Sequence, residues 1–410
     1  MDDRSAMTTT TPETDSKQLD AEATDATLSL VYVCVIAFLS GLGLLMVYSA
    51  SLTTRTGQVD ETFILKQITF LIAGVVVAMI CAKMPVIVWK RAAPALFVAS
   101  VVLILLVLIP PFGASVNGAR RWFRFGGVSF QPSELLKITL PMALCWLLGK
   151  VPEAKWGEWR SLLSWKSSAV VVGGTIGLPM MLIVMEPDLG TALFVATGGV
   201  IALIVWGWSV RLFLFGGLAM LPLVGLGLIL KPYQMKRITG FFDAIQDISN
   251  APYQLKQSLI TLGSGGLWGV GLGRGTQKLS FLPEANNDFV FAVIGEELGL
   301  LVTLCIPILW VIFFVTGLSM LQRAKEDRFA FVLGFTLLCQ IVMQALINTA
   351  VVTALVPPKG ISHPLLSYGG SNLVVTLMAC GLIYGCGRAM KTQEPAEVVD
   401  DEDVTERLAA

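Results

Sequence analysis

Apolar runs of about twenty residues alternate with short polar connections along most of the chain. An α-helix needs about 20 apolar residues to cross the hydrocarbon core of a bilayer. The runs are continuous and not alternating, which excludes a membrane β-barrel. The pattern predicts an all-α polytopic membrane protein with about ten transmembrane helices, at 28–49, 63–82, 93–109, 133–148, 168–185, 190–206, 212–230, 289–317, 329–355 and 370–388.

Composition agrees with a membrane protein and adds little about partners. The 410 residues are 55% hydrophobic and 14% charged, with a mean hydropathy of +0.74, whereas a soluble domain has about 25% charged residues. The formal net charge is zero, so no basic surplus indicates a nucleic acid partner. The seven cysteines lack the spacing of a metal site, and we interpret them as small hydrophobic residues.

Lysine and arginine residues in the short loops predict the orientation. Ten spans put both termini on one side, where the short loops contain eleven lysines and arginines. The short loops of the opposite side contain five. Because short cytoplasmic loops are enriched in Lys and Arg, both termini are predicted to be cytoplasmic. The polar segments 1–27 and 391–410 are predicted to be disordered cytoplasmic tails around a membrane domain at 28–390.

The longest connection, residues 231–288, is predicted to be a large extracytoplasmic loop between helices 7 and 8. Its patterns MKRITGFFDAIQDI and YQLKQSLITL favour amphipathic helices along the membrane surface; a loop packed on the outer face is the alternative. The loop also contains GSGGLWGVGLGRG, residues 263–275. No βαβ unit surrounds this pattern, so it indicates an irregular loop with close backbone approach, to which Arg274 and Lys278 could add phosphate contacts.

The stretch NGARRWFRFGGVSFQPSELLKI, residues 117–138, gathers positive charge on the predicted outer face. Clustered arginines there favour a phosphate or carboxylate ligand, which a guanidinium grips with two hydrogen bonds. Pro132 suits the first turn of a helix, and Glu134 and Lys137 then share one helical face. The alternative is a loop that anchors lipid headgroups, with a structural ion pair.

Two other outer connections combine polar residues with helix breakers. MEPDLGTA, residues 185–192, places two acids in a very short turn that is either solvated or part of a site. PPKGISHPLLSYGGSN, residues 357–372, contains the single histidine, His363, which we interpret as a hydrogen-bonding filler and not a catalyst. Lys359 and the Ser367-Tyr368-Gly369-Gly370 turn are predicted to line a polar cavity, where backbone amides at a helix start suit an anion.

The stretch FLPEANNDFVFAVIGEEL, residues 281–298, brings four acids to the eighth apolar run. A charge at mid-membrane depth costs about 2.5–3.5 kcal/mol on insertion scales, so these acids need an explanation. Helical spacing predicts that Asp288 and Glu296 face one cavity and Glu297 another. Asp288 is a candidate general base beside the basic loop; the alternative is an acid stabilised by the helix dipole.

Six stretches together, in order, resemble one family. They are NGARRW, FQPSELLK, EPDLGTA, YQLKQSLITLGSGGLWGVGLGRGTQKLSFLPE, DFVFAVIGEELG, and PPKG with LSYGGS. Over residues 28–390 the chain resembles the SEDS proteins of shape, elongation, division and sporulation, and their cell-division branch more than their elongation branch. The resemblance implies a peptidoglycan glycosyltransferase of the bacterial cytoplasmic (inner) membrane. Such enzymes polymerise lipid II at the outer face, with a class B penicillin-binding transpeptidase and other division proteins at the septum.

The resemblance also implies roles for single residues. The family's essential acid falls on Asp288, its functional arginine on Arg121 and its motif lysine on Lys137. A divalent cation, Mg²⁺ or Mn²⁺, could assist, although the sequence offers no clear set of ligands. We expect the lipid-linked substrate and the nascent glycan to be bound by Arg120, Arg121, Gln131, Ser133, Glu134, Lys137, Glu284, Lys359, Ser367, Tyr368, Gly369 and Gly370.

The chain departs from the family pattern at three places. Asn286-Asn287 stands where the family has His-Thr, His363-Pro364 where Leu-Pro is frequent, and Asn372 where Ser is usual. These differences affect fine substrate contacts and leave the acid and basic motifs intact. Two other functions stay open: a lipid II flippase, in which acids at depth relay protons, and a non-catalytic scaffold for division proteins.

Overall fold

The computed structural model describes residues 12–51, 61–110, 112–116, 119–125, 128–150, 168–218, 235, 239–242, 251–279, 281–357 and 360–388. Residues 210–218 are helical, and the rest of the predicted seventh span lies outside these ranges. The other main helices are α1 (Pro12–Ser51), α2 (Glu61–Lys83), α3 (Val86–Leu108), α4 (Pro132–Leu148), α5 (Ser168–Met185), α6 (Leu189–Trp206), α7 (Tyr253–Ser264), α8 (Val290–Leu321), α9 (Arg328–Val352) and α10 (Gly370–Gly387).

The helices are those of a polytopic membrane protein. Within the described residues, seven of them are long and apolar enough to cross a membrane, namely α1, α2, α3, α6, α8, α9 and α10. A shorter apolar helix, Val171–Met185, lies within α5. The predicted all-α membrane fold is therefore confirmed. The count of ten spans stays a prediction, because most of the seventh, 212–230, lies outside the described residues.

Helix α1 begins well before its apolar part. It starts at Pro12, so it includes residues 12–27 of the segment predicted as a disordered tail, and that prediction is left untested. Proline is favoured in the first helical turn. The following Lys, Gln, Leu, Ala and Glu residues are good helix formers, so the helix continues without interruption into the membrane span.

A small antiparallel sheet, which the apolar pattern does not predict, joins α3 to α4. Its strands are β1 (Ala114–Val116), β2 (Ala119–Phe125) and β3 (Val128–Phe130), in the order β1-β2-β3. Ala114 pairs with Trp122 and Ser115 pairs with Arg120. Arg121 is therefore an extra residue in β2, which makes the ladder bulge at that point. The sheet leads directly into Pro132, the first residue of α4.

Helix α8 is broken where the glycine-rich segment crosses it. Gly299 has a φ of 79° inside the helix. The N–H groups of Val270 and Gly271 donate to the carbonyls of Glu296 and Glu297, at 2.9 and 3.0 Å. A Cβ on Gly299 would lie 2.4 Å from a backbone nitrogen of this segment. The predicted close backbone approach is confirmed, and it requires glycine because no side chain fits between the two chains.

Helix α7 matches one of the two amphipathic patterns in the long loop. It packs against α8 and α9, and the Ser258 hydroxyl donates to the Val352 carbonyl at 2.8 Å. Leu255 is buried, whereas Tyr253 is exposed. This helix therefore rests on the bundle with one face, and its orientation to a membrane surface stays a prediction. Most of the other pattern, residues 235–248, lies outside the described residues.

Candidate active site

Four connections of the bundle meet around one cavity of about 360 Å³. They are the β2–α4 segment, the turn between α5 and α6, the residues before α8, and the loop before α10. This cavity, called the polar pocket below, brings together residues that lie far apart in sequence. Its charged lining residues are Arg121, Glu134, Lys137, Asp188, Glu284 and Asp288.

Asp288 lies in the pocket immediately before α8. Its backbone carbonyl accepts a hydrogen bond from the Asn348 side chain of α9 at 2.7 Å. Asn348 also donates to the Ile361 carbonyl at 2.7 Å, which ties Asp288 to the loop before α10. That loop brings Gly360 so close that an added Cβ would lie 2.8 Å from Asp288 Oδ2. The position of the carboxylate is thus fixed by two neighbouring elements.

Glu284 lies beside Asp288 in a strained backbone conformation. Its φ is 56°, which is uncommon for a residue with a side chain. Its side chain accepts from Asn287 Nδ2 at 2.7 Å, and its carbonyl accepts from the Asn287 N–H at 3.0 Å. Such strain persists only where surrounding contacts hold it, and it clusters at functional sites. The segment 284–288 is therefore a tightly held turn that presents two acids to the pocket.

The two asparagines bind this turn to the Ser-Tyr-Gly-Gly loop. The Tyr368 N–H donates to the Asn286 carbonyl at 2.8 Å, and the Ser367 hydroxyl donates to the Asn287 carbonyl at 2.5 Å. Ser367 in turn accepts from the His363 N–H at 2.7 Å. Asn286 uses its backbone and Asn287 its backbone and side chain, so the departure from His-Thr is compatible with a rigid acid-bearing turn.

Arg121 is bound to the acidic turn between α5 and α6. Its Nε donates to the Glu186 carbonyl at 2.9 Å and its Nη2 to the Pro187 carbonyl at 2.5 Å. Its Nη1 lies 3.2 Å from Asp188 Oδ2. Asp188 also caps α6 by accepting from the Thr191 N–H at 3.1 Å. Of the two interpretations of MEPDLGTA, the structure therefore favours a part of the site over a solvated turn.

The carboxyl group of Glu186 in the same turn is buried. Neither of its carboxyl oxygens has a hydrogen-bond partner among the described residues. Burial, and then the negative charge of Asp188, raises the pKa of Glu186 to about 8, although Arg121 acts in the opposite direction. The carboxyl group is therefore protonated at neutral pH and adds no negative charge near Arg121.

Lys137 lies on the predicted helical face with Glu134. Its Nζ is 2.7 Å from Glu134 Oε2 and 3.1 Å from Gln344 Oε1. It also lies 5.3 Å from the centre of the Phe194 ring. Glu134 is buried, so the pair is shielded from solvent. Each cation of the polar pocket is thus fixed beside one acid.

Not all predicted binding residues reach the polar pocket. Gln131, Tyr368 and Gly369 line it, but Arg120, Ser133, Ser367 and Gly370 do not. Lys359 lies outside the described residues.

Each of the four residues outside the lining has a structural reason. Arg120 is exposed, because it lies on the strand position before the bulge. Ser133 is buried and accepts from Gln131 Nε2 at 2.8 Å. Ser367 joins two loops, and Gly370 packs against the Phe70 ring, 2.4 Å from where its Cβ would be. Ser133, Ser367 and Gly370 therefore make supporting contacts, and direct substrate binding by the exposed Arg120 stays a prediction.

Glu296 and Glu297 do not share the cavity of Asp288, so that prediction is wrong for Glu296. Glu296 accepts from the Thr276 N–H at 2.8 Å, and Glu297 lies 2.5 Å from Lys278 Nζ. The helical count fails because α8 begins only at Val290. Lys278 is therefore an ion-pair partner in the interior and not a phosphate ligand. The Ser49 hydroxyl of α1 also donates to Glu297, at 2.5 Å.

His363 is a buried filler, as predicted. Its ring lies between Phe291 and Trp310, with centroid distances of 6.1 and 5.8 Å. Its Nδ1 is 3.1 Å from the Pro364 carbonyl. Burial lowers its pKa to about 4, so the ring is neutral at physiological pH. It does not line the polar pocket.

Several lining residues were missed by sequence reasoning. Gln344 and Asn372 lie within apolar helices α9 and α10, and Trp122 was passed over beside the arginines. A signal existed for Gln344, because Gln340, Gln344 and Asn348 recur every four residues in a membrane span, where polar groups face the bundle interior. Gly360 belongs to the quoted PPKG stretch, but its close approach to Asp288 is visible only in the structure.

Comparison with known proteins decides the family. A family model described as a cell cycle protein, covering FtsW, RodA and SpoVE, matches residues 29–392. The chain belongs to this family. FtsW/RodA/SpoVE relatives include a probable peptidoglycan glycosyltransferase FtsW of Geobacter sp. (strain M18), 33% identical over 88% of this chain and 97% of the relative. Stage V sporulation protein E of Bacillus subtilis is 34% identical over 88% of this chain and 96% of its own.

Solved structures agree with this membership in the FtsW/RodA/SpoVE family. A chain from a study of polymerisation and crosslinking by a peptidoglycan synthase complex superposes with a TM-score of 0.70. It is 25% identical, over 88% of this chain and 98% of that chain. The rod shape determining protein RodA of Thermus thermophilus has a TM-score of 0.61 at 25% identity, over 87% and 95% of the chains. The predicted SEDS membership and the likeness to its cell-division branch are confirmed.

Proposed function

We propose that this multi-pass membrane protein is a peptidoglycan glycosyltransferase that polymerises lipid II into glycan strands for septal wall synthesis. The observation that carries the proposal is the polar pocket, in which the Asp288 carboxylate and the cations Arg121 and Lys137 line one cavity. Several relatives are described as probable peptidoglycan glycosyltransferases, which supports the same reaction here.

The reaction requires one proton acceptor and stabilisation of one leaving group. Asp288 removes the proton from the acceptor sugar hydroxyl, and the resulting oxygen attacks the anomeric carbon of the donor. The bond between that carbon and the pyrophosphate oxygen breaks, and the configuration inverts. Arg121 and Lys137 stabilise the negative charge that develops on the leaving polyprenyl pyrophosphate. Holding both sugars in one cavity supplies much of the rate enhancement.

The cations suit this role because their positions are set in advance. A guanidinium has five N–H donors, and the three described contacts of Arg121 leave two that can reach a phosphate. Asp188 and Glu134 hold the two cations without a substrate. Fixed dipoles and charges need no reorganisation during the reaction, which is why they stabilise transition states effectively.

A divalent cation is compatible with the pocket. In the described residues, no group of three or more His, Cys, Asp or Glu side chains could hold a metal ion. Mg²⁺ is often bound through one or two carboxylates together with substrate phosphates, and Glu284 and Asp288 line the same cavity. These two residues would hold such an ion, which would supply positive charge beside the pyrophosphate.

Orientation and partners complete the proposal. The excess of Lys and Arg in alternate short loops supports cytoplasmic termini and a pocket at the outer face of the cytoplasmic membrane. The structural neighbour comes from a complex that couples polymerisation to crosslinking. This supports a class B penicillin-binding transpeptidase as the partner here, together with other division proteins at the septum.

The internal acids argue against a lipid II flippase. A flippase of the kind considered above needs acids at depth that relay protons. Glu296 and Glu297 instead accept hydrogen bonds from the glycine-rich segment and from Lys278. Neither lines the polar pocket, so no described path of acids leads from the substrate site into the membrane.

The test is polymerisation by the purified full chain with its cognate transpeptidase, whose own active site is blocked by a β-lactam. We expect Asp288→Asn to lose about 10²–10⁴-fold in rate, the usual contribution of a general base. Glu326→Gln, the same change at an exposed acid, is the control and keeps wild-type activity. Equal polymer from a folded Asp288→Asn chain would refute the base assignment. Lipid II transfer across vesicles without polymer from wild type would favour the flippase.

A further inference from the structure

The bulge in β2 places two adjacent side chains in the polar pocket. Neighbouring residues of a regular strand point to opposite faces. Arg121 and Trp122 are neighbours, yet both line the pocket. The register explains this, because Ala114 pairs with Trp122 and Ser115 with Arg120, which leaves Arg121 as the extra residue. Bulges re-aim side chains and occur frequently beside active sites.

Trp122 has the properties of a residue that contacts a ligand and not those of a residue buried in the core. Its side chain is partly exposed at the cavity wall. In the part of the chain that the structure describes, no aromatic ring stacks against it. Trp310 in the bundle differs, because it is buried and packs edge-on against Phe313 at 5.4 Å. An indole that lines a polar cavity has an apolar face to offer to a ligand.

The neighbours of Trp122 indicate which part of the substrate it meets. On the same strand, Arg121 is the cation assigned to the pyrophosphate. The group attached to that pyrophosphate is the donor sugar, whose ring carries an apolar face of C–H groups. Asp288, the proposed base, and Tyr368 come from other elements, the segment before α8 and the loop before α10. The acceptor hydroxyl must approach that side.

We infer that Trp122 forms the donor subsite by packing its indole against the pyranose ring next to the pyrophosphate held by Arg121. This inference rests on the proposed function and deepens it. Trp122 takes no part in proton or bond transfer. It holds the anomeric carbon beside the leaving group, while the acceptor is held from the side of Asp288 and Tyr368. The bulge therefore couples sugar recognition to pyrophosphate recognition through two consecutive residues.

The test measures the donor and acceptor subsites separately, with one substrate that can act only as donor and one that can act only as acceptor. The donor-only substrate is lipid II whose acceptor hydroxyl is capped by an added galactose. The acceptor-only substrate is the same disaccharide on a phosphonate linkage that cannot leave. Coupling of the two is measured with the full chain and its transpeptidase partner, for wild type, Trp122→Phe and Trp122→Leu. Trp268→Leu is the matched control, because Trp268 is 80% exposed in the glycine-rich segment and lies outside the pocket.

We expect Trp122→Leu to raise the KM for the donor-only substrate about tenfold, the upper range for loss of one aromatic contact. The KM for the acceptor-only substrate should stay within about twofold, and Trp122→Phe should stay close to wild type. An increase in the acceptor KM instead, equal behaviour of the Leu and Phe variants, or no change at all would overturn the inference. Trp122→Met, which has no ring, replaces the Leu variant if that chain does not fold.

A failure of the proposed function would look different. In that case wild type itself forms no coupled product. Binding of a galactose-capped donor analogue, in which a CH2 group replaces the anomeric oxygen to give a phosphonate that cannot leave, then decides the role of Trp122 alone. Weaker binding by Trp122→Leu, with unchanged binding by Trp122→Phe and Trp268→Leu, supports the contact. Equal binding by all variants overturns it.

Discussion

Gly360→Ala should displace the base without disturbing the fold. The new Cβ would lie 2.8 Å from Asp288 Oδ2, closer than real Cβ contacts are found. To reach 3.4 Å, where ordinary contact begins, the oxygen must move by about 0.6 Å. A misplacement of about 1 Å costs on the order of 100-fold in rate, so a shift of this size implies roughly tenfold, or about 1.4 kcal/mol in the barrier. Gly360 needs no left-handed backbone, so alanine adds no strain there.

The assay is glycan polymerisation over a range of lipid II concentrations up to saturation, with thermal unfolding of the same preparations. We expect kcat to fall about tenfold while KM and the unfolding temperature stay near the wild-type values. Gly263→Ala in α7 is the control, because its Cβ would meet nothing within 4 Å. Wild-type kcat for Gly360→Ala would refute the idea that this glycine sets the position of Asp288. A large loss of thermal stability would show that the glycine acts on the fold.

Three further predictions follow from single contacts. Lys278→Met should lower the free energy of unfolding by about 3–5 kcal/mol, because it leaves Glu297 buried and unpaired; chemical denaturation measures this, and adding Glu297→Gln should restore most of the loss. Arg121→Lys should reduce kcat about tenfold or more through loss of its fork of N–H donors, measured by polymerisation with an unfolding control. Between pH 4.5, the ordinary pKa of a glutamate, and the raised pKa of about 8, Glu186 is protonated in the folded chain and ionised in the unfolded chain, so wild-type stability should fall as pH rises across that range. Glu186→Gln should remove this pH dependence of the unfolding temperature. An identical pH profile for both chains would contradict the burial argument.

The apolar pattern predicts the fold more completely than it predicts the site. Spans such as 370–388 and 190–206 match α10 and α6 within one or two residues, because length and hydropathy alone determine a membrane helix. The sheet escaped prediction because its outer strands have three residues each, too few to show alternation. The N-terminal part of α1 was not predicted, because its polar composition is typical of a disordered segment, although many of its residues favour a helix.

The sequence predicts those parts of the candidate site that single charged residues form, and not those that depend on contacts between distant residues. The cost of charge near a membrane draws attention to the acids and the arginines as groups, and the resemblance to the SEDS family is what singles out Asp288, Arg121 and Lys137 among them. The pairing of Lys137 with Glu134 follows from their helical spacing. The partners of Arg121, in contrast, could not be predicted, because its contacts with Glu186 and Pro187 span 65 and 66 positions. Glu296 was misplaced because a helical count assumes that the helix starts where the apolar run starts. Long-range contacts and exact helix starts are properties of the packed chain.

The crossing of the glycine-rich segment over α8 affects how mutational data on this protein should be interpreted. At Gly265, Gly269 and Gly299 an added Cβ would lie within 1.9–2.4 Å of opposing backbone atoms, so almost any replacement there abolishes assembly. A deep mutational scan scored by growth would rank these glycines, together with Glu296, Glu297 and Lys278, beside Asp288. Intolerance to substitution alone would then suggest a second catalytic centre inside the membrane. Only a scan that scores protein abundance alongside growth can separate residues that perform the chemistry from residues that let two backbones touch.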